Sequence, residues 1–220
     1  VRKSVKRIVE GHDEKITIDA ADVEPLLGKP LFRDDDFFKH PSVGVVIGLA
    51  WTSMGGDTLA IEATRVNTGK PGFKQTGQLG NVMVESSEIA YTYIRGFLSE
   101  DEKAMAVLHH QFIHLHVPAG ATPKDGPSAG ITMASALYSL ATGKRIRKGF
   151  AMTGELSLTG RVMPIGGLKE KTIAAKRAGI RRLVFPEANR PDFEELPAHI
   201  RKGITPHYVS TFGEVVEICF

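Results

Sequence analysis

The sequence predicts an α+β fold built on a mixed β-sheet, and three observations carry the prediction. Two runs rich in branched residues, Ser42 to Trp51 and Thr58 to Ala63, flank Met54-Gly-Gly-Asp57. That pattern signals a β-hairpin and therefore antiparallel pairing. Farther on, strand-like and helix-like stretches alternate: Phe112 to Val117 precedes Ser128 to Ala141, and Gly167 to Ala178 precedes Arg182 to Phe185. Crossover helices of that kind connect parallel strands. Finally, 220 residues of which 42% are hydrophobic are enough to bury one core of ordinary size.

In chain order, Val1 to Gly11 reads as a basic helix ended by glycine, Lys15 to Asp19 as a short strand, and Asp22 to Leu27 as one or two helical turns. Gly28 to Pro41 mixes Gly and Pro with three consecutive acids, Asp34 to Asp36, and marks a boundary. Residues 1–35 are too few to bury a core alone, so they read as part of a different domain, preceding a main domain over residues 36–220. After the hairpin, Arg65 to Gln78 is turn-rich and reads as an exposed loop. Leu79 to Leu98 has helical spacing, with Val82, Ile89, Tyr93 and Phe97 on one side. Phe150 to Thr153 and Glu155 to Leu158 read as short strands, and Gly160 turns the chain into Val162 and Met163. Gly179 is a C-cap signal for the helix before it, and Pro186 stops the next strand. Thr205 to Val209 is a last strand and Phe212 to Ile218 a last helix.

Composition excludes little. The net charge is +3, which demands no nucleic-acid or membrane partner. Basic clusters stand at Arg2-Lys3, Lys6-Arg7 and Lys144-Arg145-Ile146-Arg147-Lys148. They read as solvated surface first and as a weak nucleic-acid contact second. The one cysteine, Cys219, forbids an internal disulfide. The longest apolar run, Val43 to Trp51, is too short to span a bilayer. With Val1 first and no signal-peptide pattern, the chain is expected to be a piece of a longer protein.

The stretch with most chemical content is Pro118-Ala-Gly-Ala-Thr-Pro-Lys-Asp-Gly-Pro-Ser-Ala-Gly130, between a strand and a helix. Asp125 can cap that helix, and Pro127 is tolerated in its first turn. Ser128 would then sit where free N–H groups and the helix dipole favour an anion, as a serine nucleophile attacking a carbonyl requires. An ordinary Gly/Pro turn fits the same residues. A serine of this kind needs a base. On the helix from Leu168 to Ala178, at 100° per residue, Leu168, Thr172, Ala174, Ala175 and Ala178 share one arc, and Lys171 is the only charge inside it. Either the lysine snorkels to water, or it is held indoors so that it loses its proton. A free lysine is neutral in only about one molecule in 2,500 at pH 7. A useful base titrates at roughly 7–8, and burial closes that gap of about 3–4 kcal/mol. Thr153 can hold the amine or be a surface-turn residue. His114 and His116, on one strand face, offer a rival base for Ser128, or half of a metal site that no cysteine or paired acid completes. No Gly-x-x-x-x-Gly-Lys-Ser/Thr phosphate loop is present.

Pro123-Lys-Asp-Gly-Pro-Ser-Ala-Gly130, Met152-Thr-Gly-Glu155 and Pro164-Ile-Gly-Gly-Leu-Lys-Glu-Lys171 together resemble the proteolytic domain of the Lon proteases, of the soluble ATP-dependent A type. Gly48-Leu-Ala-Trp-Thr52, Gly55-Gly56 and Thr76-Gly-Gln-Leu-Gly80 match it too. The resemblance runs from about Asp36 to Phe220, and residues 1–35 look like the tail of an AAA+ helical subdomain and its linker. It implies the Lon proteolytic fold and a serine endopeptidase with a Ser–Lys dyad, Ser128 as nucleophile and Lys171 as base. Thr153 matches the dyad's threonine. Asp125 matches an acid whose position separates inactive from active sites, and Glu62 and Glu155 match acids near the site. Gly126 and Ser128 would lend backbone N–H groups to the oxyanion. The sequence departs at Ala119, where many relatives carry glutamate. No cofactor or metal is implied for residues 1–220; ATP and Mg²⁺ are expected in an AAA+ domain outside them. The resemblance also implies unfolded polypeptide substrates, a six-membered ring, and a bacterial cytoplasmic setting, or else a mitochondrial matrix or peroxisomal one.

Overall fold

A computed structural model describes residues 2–11, 17–28, 41–52, 55–66, 69–118 and 123–220. The chain divides into two units, Val1–Asp35 and Asp36–Phe220. In the first, α1 spans Arg2–Val9 and α2 spans Ala20–Leu27. The Asp22 carboxylate accepts from Asp19 N–H at the start of α2. Thr17 to Asp19 form no strand, contrary to the alternation of the sequence, and Lys15 and Ile16 lie outside the described residues.

The second unit is built on a seven-stranded mixed sheet in the order β3-β4-β2-β1-β5-β8-β9. Its strands are β1 (Val45–Thr52), β2 (Gly55–Val66), β3 (Gly72–Thr76), β4 (Phe112–His116), β5 (Phe150–Met152), β8 (Arg182–Pro186) and β9 (Thr205–Val209). β6 (Glu155–Leu156) and β7 (Val162–Met163) form a separate antiparallel pair. The hairpin β1–β2 is antiparallel from Val45↔Glu62 to Thr52↔Gly55, and β2–β4 is antiparallel too. β3–β4, β1–β5, β5–β8 and β8–β9 are parallel. Gly55 to Asp57, expected in the turn, are already paired in β2.

The helices are α3 (Asn81–Phe97), α4 (Glu102–His110), α5 (Gly130–Thr142), α6 (Leu168–Arg177), α7 (Arg190–Glu194), α8 (Ala198–Arg201) and α9 (Phe212–Cys219). Successive strand residues point to opposite faces, and the core is accordingly double. Val46, Ile61, Ile113, Leu115 and Met152 pack with α3, α4, α5 and α9 on one face. Ile47, Leu49, Ala151, Leu183 and Phe185 pack with Leu168 and Ala175 of α6 and Phe193 of α7 on the other. Helix α5 is apolar nearly all round because it is buried over almost its whole length.

Two further expectations are corrected. Residues 72–76 are not loop but an edge strand, β3, paired along its length with β4; Phe73 is its one large apolar side chain, so the residues alone carry little strand signal. The buried side of α3 is Met83, Ser86, Ser87, Ala90 and Ile94, while Val82 is 46% exposed. The small residues let α3 lie against α5, a contact that a hydrophobic count does not detect.

Candidate active site

The C-terminal ends of β1 and β5 bring together the serine turn and the lysine helix. Lys171 lies in α6 with Leu168, Thr172, Ala174 and Ala175 on its buried side. Its residue exposure is 2%. The amine donates to Thr153 Oγ1 at 3.1 Å. Burial pushes it down from the usual 10.5 to about 8, because the ammonium loses its hydration in dry surroundings.

Thr153 follows β5 immediately and is fully buried, so it is not a surface-turn residue. Its hydroxyl donates to the Ser128 carbonyl at 3.1 Å. That commitment leaves the hydroxyl only accepting from Lys171, so Thr153 occupies an N–H of the amine and leaves its lone pair for another partner.

Ser128 is half-buried in a turn two residues before α5 begins at Gly130, not in the helix's first turn. The reason is the fate of its carbonyl, which accepts from Gly154 N–H at 2.8 Å as well as from Thr153. Gly154 O in turn accepts from Ile131 N–H at 3.1 Å. Residues 153 and 154 thus stitch the serine turn to the end of β5. Among the described residues, Ser128 Oγ takes part in no hydrogen bond.

Asp125 does not cap α5. Its carboxylate accepts from Met83 N–H at 3.0 Å, in the first turn of α3, and from Gly126 N–H at 2.8 Å. Helix α3 follows Gly80, which has no side chain to cap with, and a Cβ there would lie 2.3 Å from Asp125 Cγ. The Gly126 amide, expected at the oxyanion, faces Asp125 in this conformation. The same loop is held by Lys124, which the sequence reading passed over. Its amine donates to Gly77 O at 2.7 Å, and its backbone bridges Leu79.

The side chains of Glu62 and Glu155 are not in hydrogen-bond contact with Ser128, Lys171 or Thr153. Glu62 lies opposite Val45 and His116 in the ladder, whereas Met152, next to Thr153, lies opposite Gly48. Three residues of β1 separate those levels, about 10 Å along a strand. Glu155 is the first residue of β6 and half-buried. His114 Nε2 and His116 Nδ1 share Thr76 Oγ1, at 2.8 and 2.7 Å, and neither ring is bonded to Ser128.

Two close approaches fix α6. A Cβ on Gly56 of β2 would lie 2.0 Å from Glu170 O, so only glycine lets the strand reach the helix there. Gly167, the N-cap, has φ +68° and supports the Trp51 ring. Asn189, buried and also unforeseen from the sequence, bonds both polar groups of Ile165 just ahead of the helix.

The fold places the chain among mixed-sheet α+β domains that set a serine turn beside a buried lysine. More particularly, the family model of the Lon protease C-terminal proteolytic domain matches residues 17–220, and the chain belongs to that family. It is 53% identical over all 220 residues to Lon protease 1 of Syntrophotalea carbinolica and 50% identical over 220 residues to Lon protease 2 of Hydrogenovibrio crunogenus. It is 52% identical over 209 residues, 94% of the chain, to the mitochondrial Lon protease homolog 1 of Arabidopsis thaliana. The chain spans 27%, 25% and 22% of these three proteins, about a quarter of each. Relatives therefore occur in bacteria and in mitochondria. Among the described residues no helix is long and apolar enough to cross a membrane.

Proposed function

We propose that this chain is a serine endopeptidase domain in which Ser128 is the nucleophile and Lys171 the general base. The observation that carries the reading is the buried Lys171 amine, bonded to a threonine that also holds the Ser128 carbonyl. With the base at about 8, roughly one molecule in ten is neutral at pH 7, against about one in 2,500 for a free lysine. Rotation of the Ser128 side chain towards Lys171 breaks no hydrogen bond. Lys171 then takes the Ser128 proton as Oγ attacks the scissile carbonyl carbon. Collapse of the tetrahedral intermediate breaks the C–N bond, and Lys171 returns the proton to the leaving amine. Water, deprotonated by Lys171, attacks the ester on Ser128 and releases the acid product. For the Gly126 N–H to help hold the oxyanion, it must leave the Asp125 carboxylate, which is the rearrangement the family resemblance attaches to Asp125.

In the wider reading the substrates are unfolded or damaged polypeptides. An AAA+ domain using ATP and Mg²⁺ feeds them into a six-membered ring of proteolytic domains, in the bacterial cytoplasm or the mitochondrial matrix. These parts rest on the family and on the length of the relatives rather than on residues of this chain.

The test is hydrolysis of a fluorogenic peptide as a function of pH. The parent should show activity rising through a midpoint near 8, and Ser128→Ala and Lys171→Ala should each lose at least about three orders of magnitude in turnover. Activity retained by Lys171→Ala would remove the lysine from the role of base.

A further inference from the structure

We propose that Asn189 is a positioning residue for the base: its carboxamide clamps Ile165, at the threshold of α6, so that Lys171 is delivered to Thr153. The inference rests on the reading of Lys171 as base.

Asn189 is 2% exposed. Its Oδ1 accepts from Ile165 N–H at 2.9 Å and its Nδ2 donates to Ile165 O at 3.0 Å, across 24 residues of chain. One side chain thus satisfies both backbone groups of Ile165, as a paired strand would. A carboxamide carries an N–H donor and a carbonyl acceptor side by side, which an ionised carboxylate or an aliphatic side chain does not. The amide's orientation is fixed by a third bond, Nδ2 to Asp192 Oδ2 at 2.6 Å. Asp192 lies in α7, and the turn is braced further by Arg190, which pairs with Glu187 and lies 4.1 Å over the Tyr208 ring of β9.

Ile165 is the last residue with a side chain before α6; Gly166 and Gly167 follow. Two glycines in a row lack side chains of their own to anchor the approach to the helix, which is held instead by its neighbours, Trp51 at Gly167 and Asn189 at Ile165. The first helical turn closes on Gly167, whose carbonyl accepts from Lys171 N–H at 3.0 Å. Any pivot at the glycines is therefore passed to the lysine backbone within one turn. The clamp removes that freedom from outside the site, and Asn189 itself touches none of the reacting groups.

The test compares the parent with Asn189→Leu, of similar size but without the amide, and Asp192→Asn, which alters the orienting bond at an exposed position. Peptide hydrolysis against pH and thermal unfolding are measured for each. Asn189→Leu should lower kcat about ten- to a hundredfold, leave KM within about twofold, and move the alkaline midpoint upward as Lys171 meets water. Asp192→Asn should shift kcat and midpoint in the same direction, by about two- to fivefold in kcat. A merely structural role would lower the unfolding temperature and leave the midpoint where it was. Parent-like kcat and midpoint in a folded Asn189→Leu would overturn the inference. If Asn189→Leu does not fold, a parent-like Asp192→Asn overturns it. Ser128→Ala and Lys171→Ala run alongside separate the two failures. Activity in those variants sinks the base reading, whereas inactive controls with parent-like Asn189→Leu and Asp192→Asn sink only the clamp.

Discussion

Helices α5 and α6 both begin after Gly/Pro-rich segments and both lack a side-chain N-cap bond. Their starts are nonetheless opposite in kind. The approach to α5 carries an exposed Asp125 and a half-buried Ser128, and it leans on another element, α3, through the Asp125–Met83 bond. The approach to α6 is pinned by Asn189, by the Trp51–Gly167 contact and by Gly56 against Glu170, and it carries a buried amine. The difference follows from the chemistry. A hydroxyl needs only to point the right way, which a bond rotation supplies. An amine whose value is pushed down to about 8 needs permanent dryness, which only packed surroundings supply.

Three substitutions sharpen or break that contrast. The largest effect is expected from Thr153→Val, which keeps shape but removes the bond that joins the two starts. Turnover should fall about a hundredfold with the chain still folded; a change of less than about threefold, measured by peptide hydrolysis, would mean that packing alone registers the dyad. Next is Lys171→Met. The amine's folded value of about 8 lies below its unfolded 10.5. The unfolded chain therefore binds more protons between those values, and stability contributed by this site rises with pH across that window. Below pH 8 the burial penalty is fully present, about 3 kcal/mol; above 10.5 it is gone. Met should stabilise the domain at pH 7 by about 1–3 kcal/mol, with part of the gain offset by the lost Thr153 bond. Denaturant unfolding at pH 7 and pH 10.5 would check that the gain shrinks at the higher pH. The smallest effect is expected from Asp125→Ala, which removes a cap from α3 and should cost about 1 kcal/mol. A loss several times larger in the same unfolding experiment would show that the α5 approach is as tightly built as the α6 one.

How legible this was depended on the range of each interaction. The Lys171 face could be read because helical periodicity is local: the arc of Leu168, Thr172, Ala174 and Ala175 is written within eight residues. The β1–β2 hairpin was legible for the same reason, since turn glycines and branched flanks lie together. Thr153 is ambiguous from the residues, because its partner Lys171 reaches it from 18 residues farther along the chain. Asn189, Lys124 and the capping of α3 by Asp125 were hidden, each being a side-chain bond to backbone 24, 47 and 42 residues away. Edge strand β3 leaves little trace in the sequence because one neighbour and one aromatic side chain suffice to hold it. The inner face of α3 is faint in the hydrophobic pattern because close helix contact selects the small residues Ser86, Ser87 and Ala90 between Met83 and Ile94.

The doubly accepted Ser128 carbonyl gives the serine a fixed mounting. The peptide plane leaving Ser128 is riveted to residues 153 and 154, and the plane arriving from Pro127 is held as well, its carbonyl accepting from Gly130 N–H at 3.1 Å and from Ser86 Oγ at 3.4 Å. A rearrangement at Asp125 and Gly126, upstream of both planes, would leave the serine's mounting and the sheet's own bonding intact.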